Sequence, residues 1–195
     1  MTAARRLIDK RGSYDAVSIA ELARASNTSV GSFYNRYRDK DGLLHVLHLE
    51  LCAEGKLTIE TMLAPARWTT VEMPLLIGAF VEFAVTSYKE QHGLRRALLL
   101  AASTRSEFRV RAIELSRQTC SALTVLIASR YTQVSRDALR TAVDLCHCTV
   151  YGVLDQSLLY QGPASGNPLA DATLTAELSM MCLAYLQARL GPSGG

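Results

Sequence analysis

The residues most suited to chemistry lie together between Ser29 and Lys40, where small, polar, aromatic and basic side chains alternate. Val30, Gly31 and Ser32 open a predicted short helix, whose free backbone amides favour a phosphate. Gly31 also lets a sugar–phosphate backbone approach closely. Hydroxyl, amide and ammonium groups bond to phosphate oxygens and base edges, so this segment predicts noncovalent recognition of DNA.

The segment before it predicts the first of two helices that position these residues. Ser18 and Glu21 have the spacing of a capping box, in which each side chain satisfies a free backbone donor near the other, so a helix begins at Ile19. Asn27 ends this helix, because asparagine tolerates the left-handed backbone conformation of a helix end.

Ser29 is a suitable cap for the second helix, which is predicted from Val30 to about Tyr37. Its expected core stripe is Val30, Phe33 and Tyr37, at helical spacing. The displayed residues are expected to be Gly31, Ser32, Asn35, Arg36 and Arg38. Two short helices joined by a four-residue turn are typical of a helix-turn-helix, whose second helix lies in the major groove.

Helices are also expected on both sides of this pair. A helix from Ala3 to Arg11 is predicted to turn Leu7 inward. Its basic side chains are expected in solvent: Arg5, Arg6, Lys10 and Arg11. Asp39 can cap a longer helix from Lys40 to about Met62. Further helical patterns cover about 74–91, 94–103, 106–131, 135–160 and 170–190, and no stretch alternates with the period of a strand.

The predicted fold class is therefore all-α, with two domains that differ in charge. Residues 1–44 hold eight Lys and Arg against five Asp and Glu, which accounts for the whole formal net charge of +3. They predict a three-helix DNA-binding domain, joined through a linking helix to a helical-bundle domain over 45–195. No apolar run reaches the ~18 residues of a membrane span, and no secretory signal is recognisable, so a cytoplasmic protein is expected.

The segment from Leu22 to Leu44, LARASNTSVGSFYNRYRDKDGLL, resembles the DNA-binding domain of TetR-type transcriptional regulators. The likeness rests on a helix of small residues, an aromatic residue and tyrosine, followed by a Lys-acid-x-Leu helix start, and it covers roughly Leu7 to Leu51. The resemblance implies contacts to phosphate or sugar from Ser18, Ser29, Gly31, Ser32, Tyr34 and Lys40. It places Val30, Ser32 and Asn35 closest to the bases, where Val30 can offer only apolar contact.

The resemblance also implies a homodimer that binds a near-palindromic double-stranded operator through two reading helices. The last two helical patterns, about 135–160 and 170–190, carry small residues that let helix axes approach closely. These residues are Ala142, Thr149, Gly152, Ser157, Ala172, Ala176 and Ser179. Packing of the same faces within one chain is the alternative.

The remaining stretch, about 41–131, is expected to enclose a pocket for a small-molecule effector that is largely hydrophobic. Candidate lining residues are Met62, Trp68, Phe80, Phe83, Tyr88, Thr104, Cys120, His147 and Tyr151, and each of them could instead belong to the core. Five arginines could attract an anionic effector, although a solvated face is the stronger expectation: Arg95, Arg96, Arg105, Arg109 and Arg111.

Neither a cofactor nor a metal site nor a catalytic site is predicted. The run Cys146-His147-Cys148 is not a metal site, because residues on a helix diverge by about 100° each and Cys146 and Cys148 face different sides. The predicted function is a sequence-specific transcriptional repressor that an effector releases from its operator. The alternative is a helical small-molecule-binding or catalytic protein with a vestigial DNA-binding head, which would show no salt-dependent DNA binding.

Overall fold

The computed structural model describes residues 3–160 and 169–191, which fold into helices. The helices of these ranges are α1 (Ala3–Arg11), α2 (Ile19–Ala25), α3 (Val30–Tyr37), α4 (Lys40–Met62), α5 (Met73–Glu90), α6 (His92–Thr104), α7 (Ser106–Ala128), α8 (Arg136–Tyr160) and α9 (Asp171–Leu190). A 3₁₀ turn, Pro65–Arg67, lies between α4 and α5. No strand occurs in the described ranges, which confirms the all-α prediction there.

The helix boundaries follow local capping signals. The helices α3 and α4 span the predicted ranges, and α5 to α9 begin and end within three residues of theirs. Asp39 caps α4 as expected, since its Oδ1 accepts a hydrogen bond from the Gly42 amide at 2.7 Å. Among the described helices, none combines the length and the apolar character needed to cross a membrane.

The chain packs as two compact units. The first unit comprises Met1–Glu54 and Tyr88–Ala112, and the second unit comprises Gly55–Ser87 and Ile113–Gly195. The divisions between them fall inside α4, α5 and α7. The predicted domain boundary at residue 44 stays a prediction.

The first unit has one apolar core, to which the short N-terminal helices and α6 contribute. Ile8, Leu22, Phe33, Leu47 and Leu94 are each at most 2% exposed in this core. Full burial of such a side chain contributes about 1.5–3 kcal/mol, so this shared core accounts for much of the stability of helices too short to be stable alone.

A buried aspartate joins α1 to α6. The Asp9 Oδ1 atom accepts hydrogen bonds from the amides of Gly93 (2.9 Å) and Leu94 (3.1 Å), in the first turn of α6. A Cβ atom on Gly93 would lie 2.6 Å from the Ile8 carbonyl oxygen, so only glycine permits this approach of the two backbones. Burial raises the pKa of the Asp9 carboxyl, while the two amide hydrogen bonds oppose that shift.

The prediction that Arg5 lies in solvent is wrong. Arg5 is 1% exposed, and its guanidinium donates hydrogen bonds to Glu54 at 2.6 and 2.8 Å and to Glu50 at 3.1 Å. Both glutamates lie on α4, so the ion pairs fasten α1 to that helix. Leu7 is only partly buried, and Ile8 takes the inward position of α1.

In the second unit, α8 packs along α9. Val143, Val150, Leu178 and Leu186 are buried on these two helices. The thiols of Cys146 and Cys182 lie where the helices meet, and each donates a weak hydrogen bond to the backbone carbonyl of the other, at 3.8 and 3.9 Å. Neutral side chains therefore line this helix pair.

Candidate nucleic-acid interface

Two local signals set the start and the end of α2. The Ser18 hydroxyl accepts a hydrogen bond from the Glu21 amide at 3.2 Å, and the Glu21 carboxylate accepts one from the Ser18 amide at 2.9 Å, which confirms the capping box. The hydrogen bonds that the Ser18 amide and hydroxyl donate to the Glu21 carboxylate lower the pKa of Glu21. Asn27 has a φ of 52°, in the left-handed region, as predicted for the end of α2. These features fix the bounds of α2, after which a short turn leads into α3.

Ser29 caps α3 and orders its first turn. Its hydroxyl oxygen accepts a hydrogen bond from the Ser32 amide at 3.0 Å and donates to the Ser32 hydroxyl at 3.0 Å. The Ser32 hydroxyl keeps its own hydrogen free for a further acceptor. The first turn of α3 therefore presents backbone amides and a hydroxyl donor at its exposed surface.

Only one side chain of α3 is fully buried. Phe33 is 2% exposed and contacts the ring of Tyr37 at 5.1 Å and that of Tyr34 at 6.0 Å. Tyr34 is nevertheless 49% exposed. Val30 is 43% exposed, so its predicted place in the core stripe is wrong, because an eight-residue helix with one buried anchor leaves its first residue outside.

Gly31 has space around its Cα. A Cβ atom there would meet only the Ser29 Oγ atom, at the ordinary contact distance of 3.8 Å. The fold itself does not require glycine at this position, in contrast to Gly42, where a Cβ atom would lie 1.9 Å from the Tyr37 carbonyl oxygen. Glycine at position 31 thus leaves the surface open to close approach from outside.

Lys40 is held by Tyr14, which is not among the predicted site residues. The Lys40 ammonium donates a hydrogen bond to the Tyr14 carbonyl at 2.9 Å and lies 4.7 Å from the centre of the Tyr14 ring. The Tyr14 hydroxyl donates to the Lys40 carbonyl in return, and burial raises the pKa of this phenol. The sequence shows only an aromatic residue after α1, 26 residues before Lys40, and carries no signal for this contact.

All eight predicted DNA-contacting residues lie in the first unit. Lys40 is half-buried, and the others are exposed: Ser18, Ser29, Val30, Gly31, Ser32, Tyr34 and Asn35. Exposure of so many residues on one short helix is what a reading surface requires. Their contacts with DNA stay a prediction.

Three of the predicted effector-pocket residues form a cluster in the second unit. The rings of His147 and Tyr151 stack at 4.4 Å, and Phe80 lies 6.5 Å from His147 and 6.3 Å from Tyr151. Burial lowers the pKa of His147 to about 4, although the negative charge of Asp144 opposes the shift. The cluster is therefore apolar, with a neutral imidazole as its polar group.

The other pocket candidates are placed differently. The Trp68 indole donates to the Met62 carbonyl at 2.6 Å, and Arg130 donates to the Trp68 carbonyl at 2.7 Å, so Trp68 packs as a structural residue of the second unit. Cys120 is buried, and burial raises its pKa to about 12. Phe83 is 39% exposed. Tyr88 and Thr104 belong to the first unit. A ligand-binding role stays a prediction for all nine candidates.

The five candidate arginines and the small residues of α8 differ in how exposed they are. A solvated face is the wrong description for four of the five arginines, because only Arg109 is exposed and the other four are half-buried: Arg95, Arg96, Arg105 and Arg111. Ala142 is fully buried within the chain, so it cannot lie at a surface between copies. Cys146 is buried and Cys148 exposed, as expected for two faces of α8.

Two family models match the chain. The model described as "Bacterial regulatory proteins, tetR family" matches residues 1–47, which include α1 to α3. The model described as "Tetracyclin repressor-like, C-terminal domain" matches residues 73–186. No curated protein sequence matches this chain.

Solved structures share the fold at low sequence identity. A protein from Mesorhizobium loti MAFF303099 assigned to the TetR family of transcriptional regulators has a TM-score of 0.71 at 16% identity, over 95% of this chain and 92% of that one. The TetR-family regulator PfmR from Thermus thermophilus has a TM-score of 0.63 at 19% identity, over 93% and 95%. The fatty acid degradation regulator FadR from Bacillus halodurans has a TM-score of 0.61 at 14% identity, over 93% and 94%.

Proposed function

The chain belongs to the TetR family of transcriptional regulators, and from that premise we propose that it is a repressor which a small-molecule effector releases from a near-palindromic operator. The observation that carries the proposal is the exposed first half of α3. Val30, Gly31, Ser32 and Tyr34 are all exposed, and the fold has no packing need for glycine at position 31. Such a surface is useful mainly to a partner.

The residues of this surface would divide their roles by chemistry. The amides at the start of α3 and the hydroxyls of Ser32 and Tyr34 would bind phosphate oxygens and set the register on the duplex. Asn35 would read a base edge through its amide, and Val30 would contact a thymine methyl group. Lys40, held beside Tyr14, has two remaining ammonium hydrogens with which to bind a phosphate.

We propose a homodimer formed by α8 and α9, because a near-palindrome needs two reading helices related by a twofold axis. These helices leave apolar and small side chains in solvent, among them Leu145, Gly152, Ala176 and Met180. Leu145 and Met180 are 49% and 56% exposed, which is costly unless a second copy covers them.

The cluster of Phe80, His147 and Tyr151 is the proposed contact surface for the effector. Its aromatic rings favour a largely hydrophobic molecule, and the neutral imidazole of His147 supplies one donor and one acceptor. We propose that the bound effector favours a dimer geometry in which α4, the helix that begins at Lys40, no longer lets both reading helices bind one operator.

Fluorescence anisotropy with DNA from the neighbourhood of the protein's own gene tests the DNA-binding function. Tyr34→Ala is expected to weaken binding about tenfold, because a phosphate hydrogen bond contributes about 1.5 kcal/mol and its packing on the duplex is lost as well. Affinity is also expected to fall steeply with salt, since phosphate contacts release counterions.

Two exposed valines of the first unit provide the matched control. Val30→Ala removes a contact to the bases, whereas Val110→Ala makes the same change at a side chain that is 63% exposed on α7. Only Val30→Ala should change the preference among operator variants. Equal affinity of the wild-type protein and Tyr34→Ala, or binding that does not change with salt, would count against the proposal.

A further inference from the structure

A cleft of about 300 Å³ lies in the first unit. Its polar lining includes three basic residues, Lys40, Arg96 and Arg105, and two carboxylates, Asp15 and Asp41. The cleft shares no lining residue with the aromatic cluster of the second unit. Of the predicted site residues, Lys40 and Thr104 lie in its lining, and the rest of the lining belongs to neither proposed site.

Arg96 is the side chain in this cleft that lacks an acceptor. Its Nε atom is buried and has no hydrogen-bond partner within the described residues. No ion pair of Arg96 occurs in that part of the chain either. A guanidinium without a carboxylate partner in the lining of a cleft is suited to an anion, which it binds through its terminal N–H groups.

The other charges of the cleft leave Arg96 uncompensated. Arg105 lies 3.2 Å from Asp41, so these two charges neutralise each other. Lys40 has one acceptor, the Tyr14 carbonyl, and two remaining ammonium hydrogens. With Asp15 also in the lining, three basic residues stand against two carboxylates, so the cleft keeps one net positive charge.

Part of the lining is apolar. Leu44, Ala97 and Leu100 contribute to it, and Leu100 is 42% exposed. Arginine pairs with carboxylates through two parallel hydrogen bonds, and apolar walls favour a compact hydrocarbon body. We propose that this cleft is a second ligand site, which binds a small organic carboxylate with its head on Arg96 and its body against Leu44 and Leu100.

Isothermal titration calorimetry of the full chain with sodium benzoate tests this site. Benzoate joins one carboxylate to an apolar ring, and benzamide has the same shape without the charge. We expect benzoate to bind with millimolar or better affinity and benzamide at least tenfold more weakly, since the charge-assisted bonds to Arg96 are lost.

Two pairs of variants locate the binding. Arg96→Gln should weaken benzoate binding at least tenfold, whereas Arg109→Gln removes an exposed arginine outside the cleft lining and should leave it unchanged. Leu100→Ala should weaken it about threefold, whereas Val110→Ala, also at an exposed apolar position, should not. Because Leu100 is partly exposed, its variant keeps the test available if Arg96→Gln fails to fold.

Three results would overturn the proposal. The first is the absence of benzoate binding at 20 mM, roughly the weakest affinity that such bonds imply. The second is equal affinity for benzoate and benzamide. The third is benzoate binding that survives both Arg96→Gln and Leu100→Ala, because the site would then lie elsewhere, for example at the aromatic cluster of the second unit.

Discussion

The first unit relies on buried charged groups where α8 and α9 of the second unit rely on neutral ones. In the first unit, Arg5 binds two glutamates of α4, and Asp9 binds two amides of α6. Between α8 and α9, the buried thiols of Cys146 and Cys182 form weak hydrogen bonds to backbone carbonyls. Directional bonds tolerate less displacement than apolar packing does.

This difference suits the task proposed for each region. α3 has eight residues and one buried anchor, Phe33, whereas isolated helices shorter than about 12–15 residues are marginal in water. Its orientation must therefore come from the neighbouring elements of the first unit. An effector-binding region has the opposite requirement, because it must accept a ligand and repack.

The largest effect is expected where glycine has no substitute. Gly42→Ala places a Cβ atom 1.9 Å from the Tyr37 carbonyl oxygen, between α3 and α4 of the first unit. The backbone must shift, so we expect the free energy of unfolding to fall by about 3 kcal/mol or more. Urea denaturation followed by circular dichroism measures this loss.

Gly78→Ala is the matched control in the second unit. Nothing lies within 4 Å of a Cβ atom at this position in the interior of α5, so alanine is expected to stabilise the protein by about 0.5–1 kcal/mol. Similar effects of the two substitutions would show that the close approach at Gly42 does not decide the outcome.

The next largest effect is expected at Asp9. Asp9→Ala leaves the amides of Gly93 and Leu94 buried without an acceptor, which costs about 2 kcal/mol. Asp137→Ala, at an exposed position in the first turn of α8, should change the stability by less than about 0.5 kcal/mol. An Asp9→Ala protein as stable as the wild type would show that α6 does not need this cap.

Contacts between residues close in the sequence were predictable, and contacts between distant residues were not. The starts of α2, α3 and α4 were predictable, because Ser18, Ser29 and Asp39 bond to groups three residues away. The burial of Arg5 and Asp9 was not predictable, because their partners lie 45 to 85 residues further on. A single sequence offers no periodicity or motif for such contacts.

The same limit applies to the candidate site. The polar row of α3 could be located from residue types, because exposure on a short helix needs no distant partner. The place of Lys40 beside Tyr14 required the packed unit, since 26 residues separate them. Val30 shows the converse error: helical spacing put it in the core stripe, but α3 buries only Phe33.

Each unit contains one buried neutral histidine, and together they predict a pH dependence. Burial lowers the pKa of His48 and His147 from 6.5 to about 4, helped at His48 by the positive charge of Arg111. The unfolded chain therefore binds more protons between pH 4 and 6.5, so stability present above pH 6.5 is lost as the pH falls through this window.

Phenylalanine substitutions separate the two contributions. His48→Phe keeps a ring stacked on Phe108, at 5.1 Å in the wild type, and His147→Phe keeps one on Tyr151. Each variant should lose about half of the decline in melting temperature between pH 6.5 and 5.0, and the double variant most of it. If one substitution leaves the decline in melting temperature unchanged, the imidazole that it removes is already protonated in the folded protein over this pH range.

The smallest effect on stability is expected at two matching helix caps. The Ser29 oxygen accepts from the amide of Ser32 at 3.0 Å in the first unit, and the Ser135 oxygen accepts from the amide of Ala138 at 3.2 Å at the start of α8. Loss of such a cap costs about 1 kcal/mol, so Ser29→Ala and Ser135→Ala should lower the free energy of unfolding equally.

Their effects on DNA binding should differ, and this difference tests the comparison between the units most directly. Ser29→Ala frays the first turn of α3, which presents the proposed phosphate-binding amides, so we expect about tenfold weaker operator binding by fluorescence anisotropy. Ser135→Ala should bind the operator as tightly as the wild type. Because the two variants are matched in stability, a Ser29→Ala protein that binds the operator as tightly as the wild type would show that the order of the first turn of α3 does not matter for binding. Equal losses of affinity in both variants would mean that both act through general destabilisation.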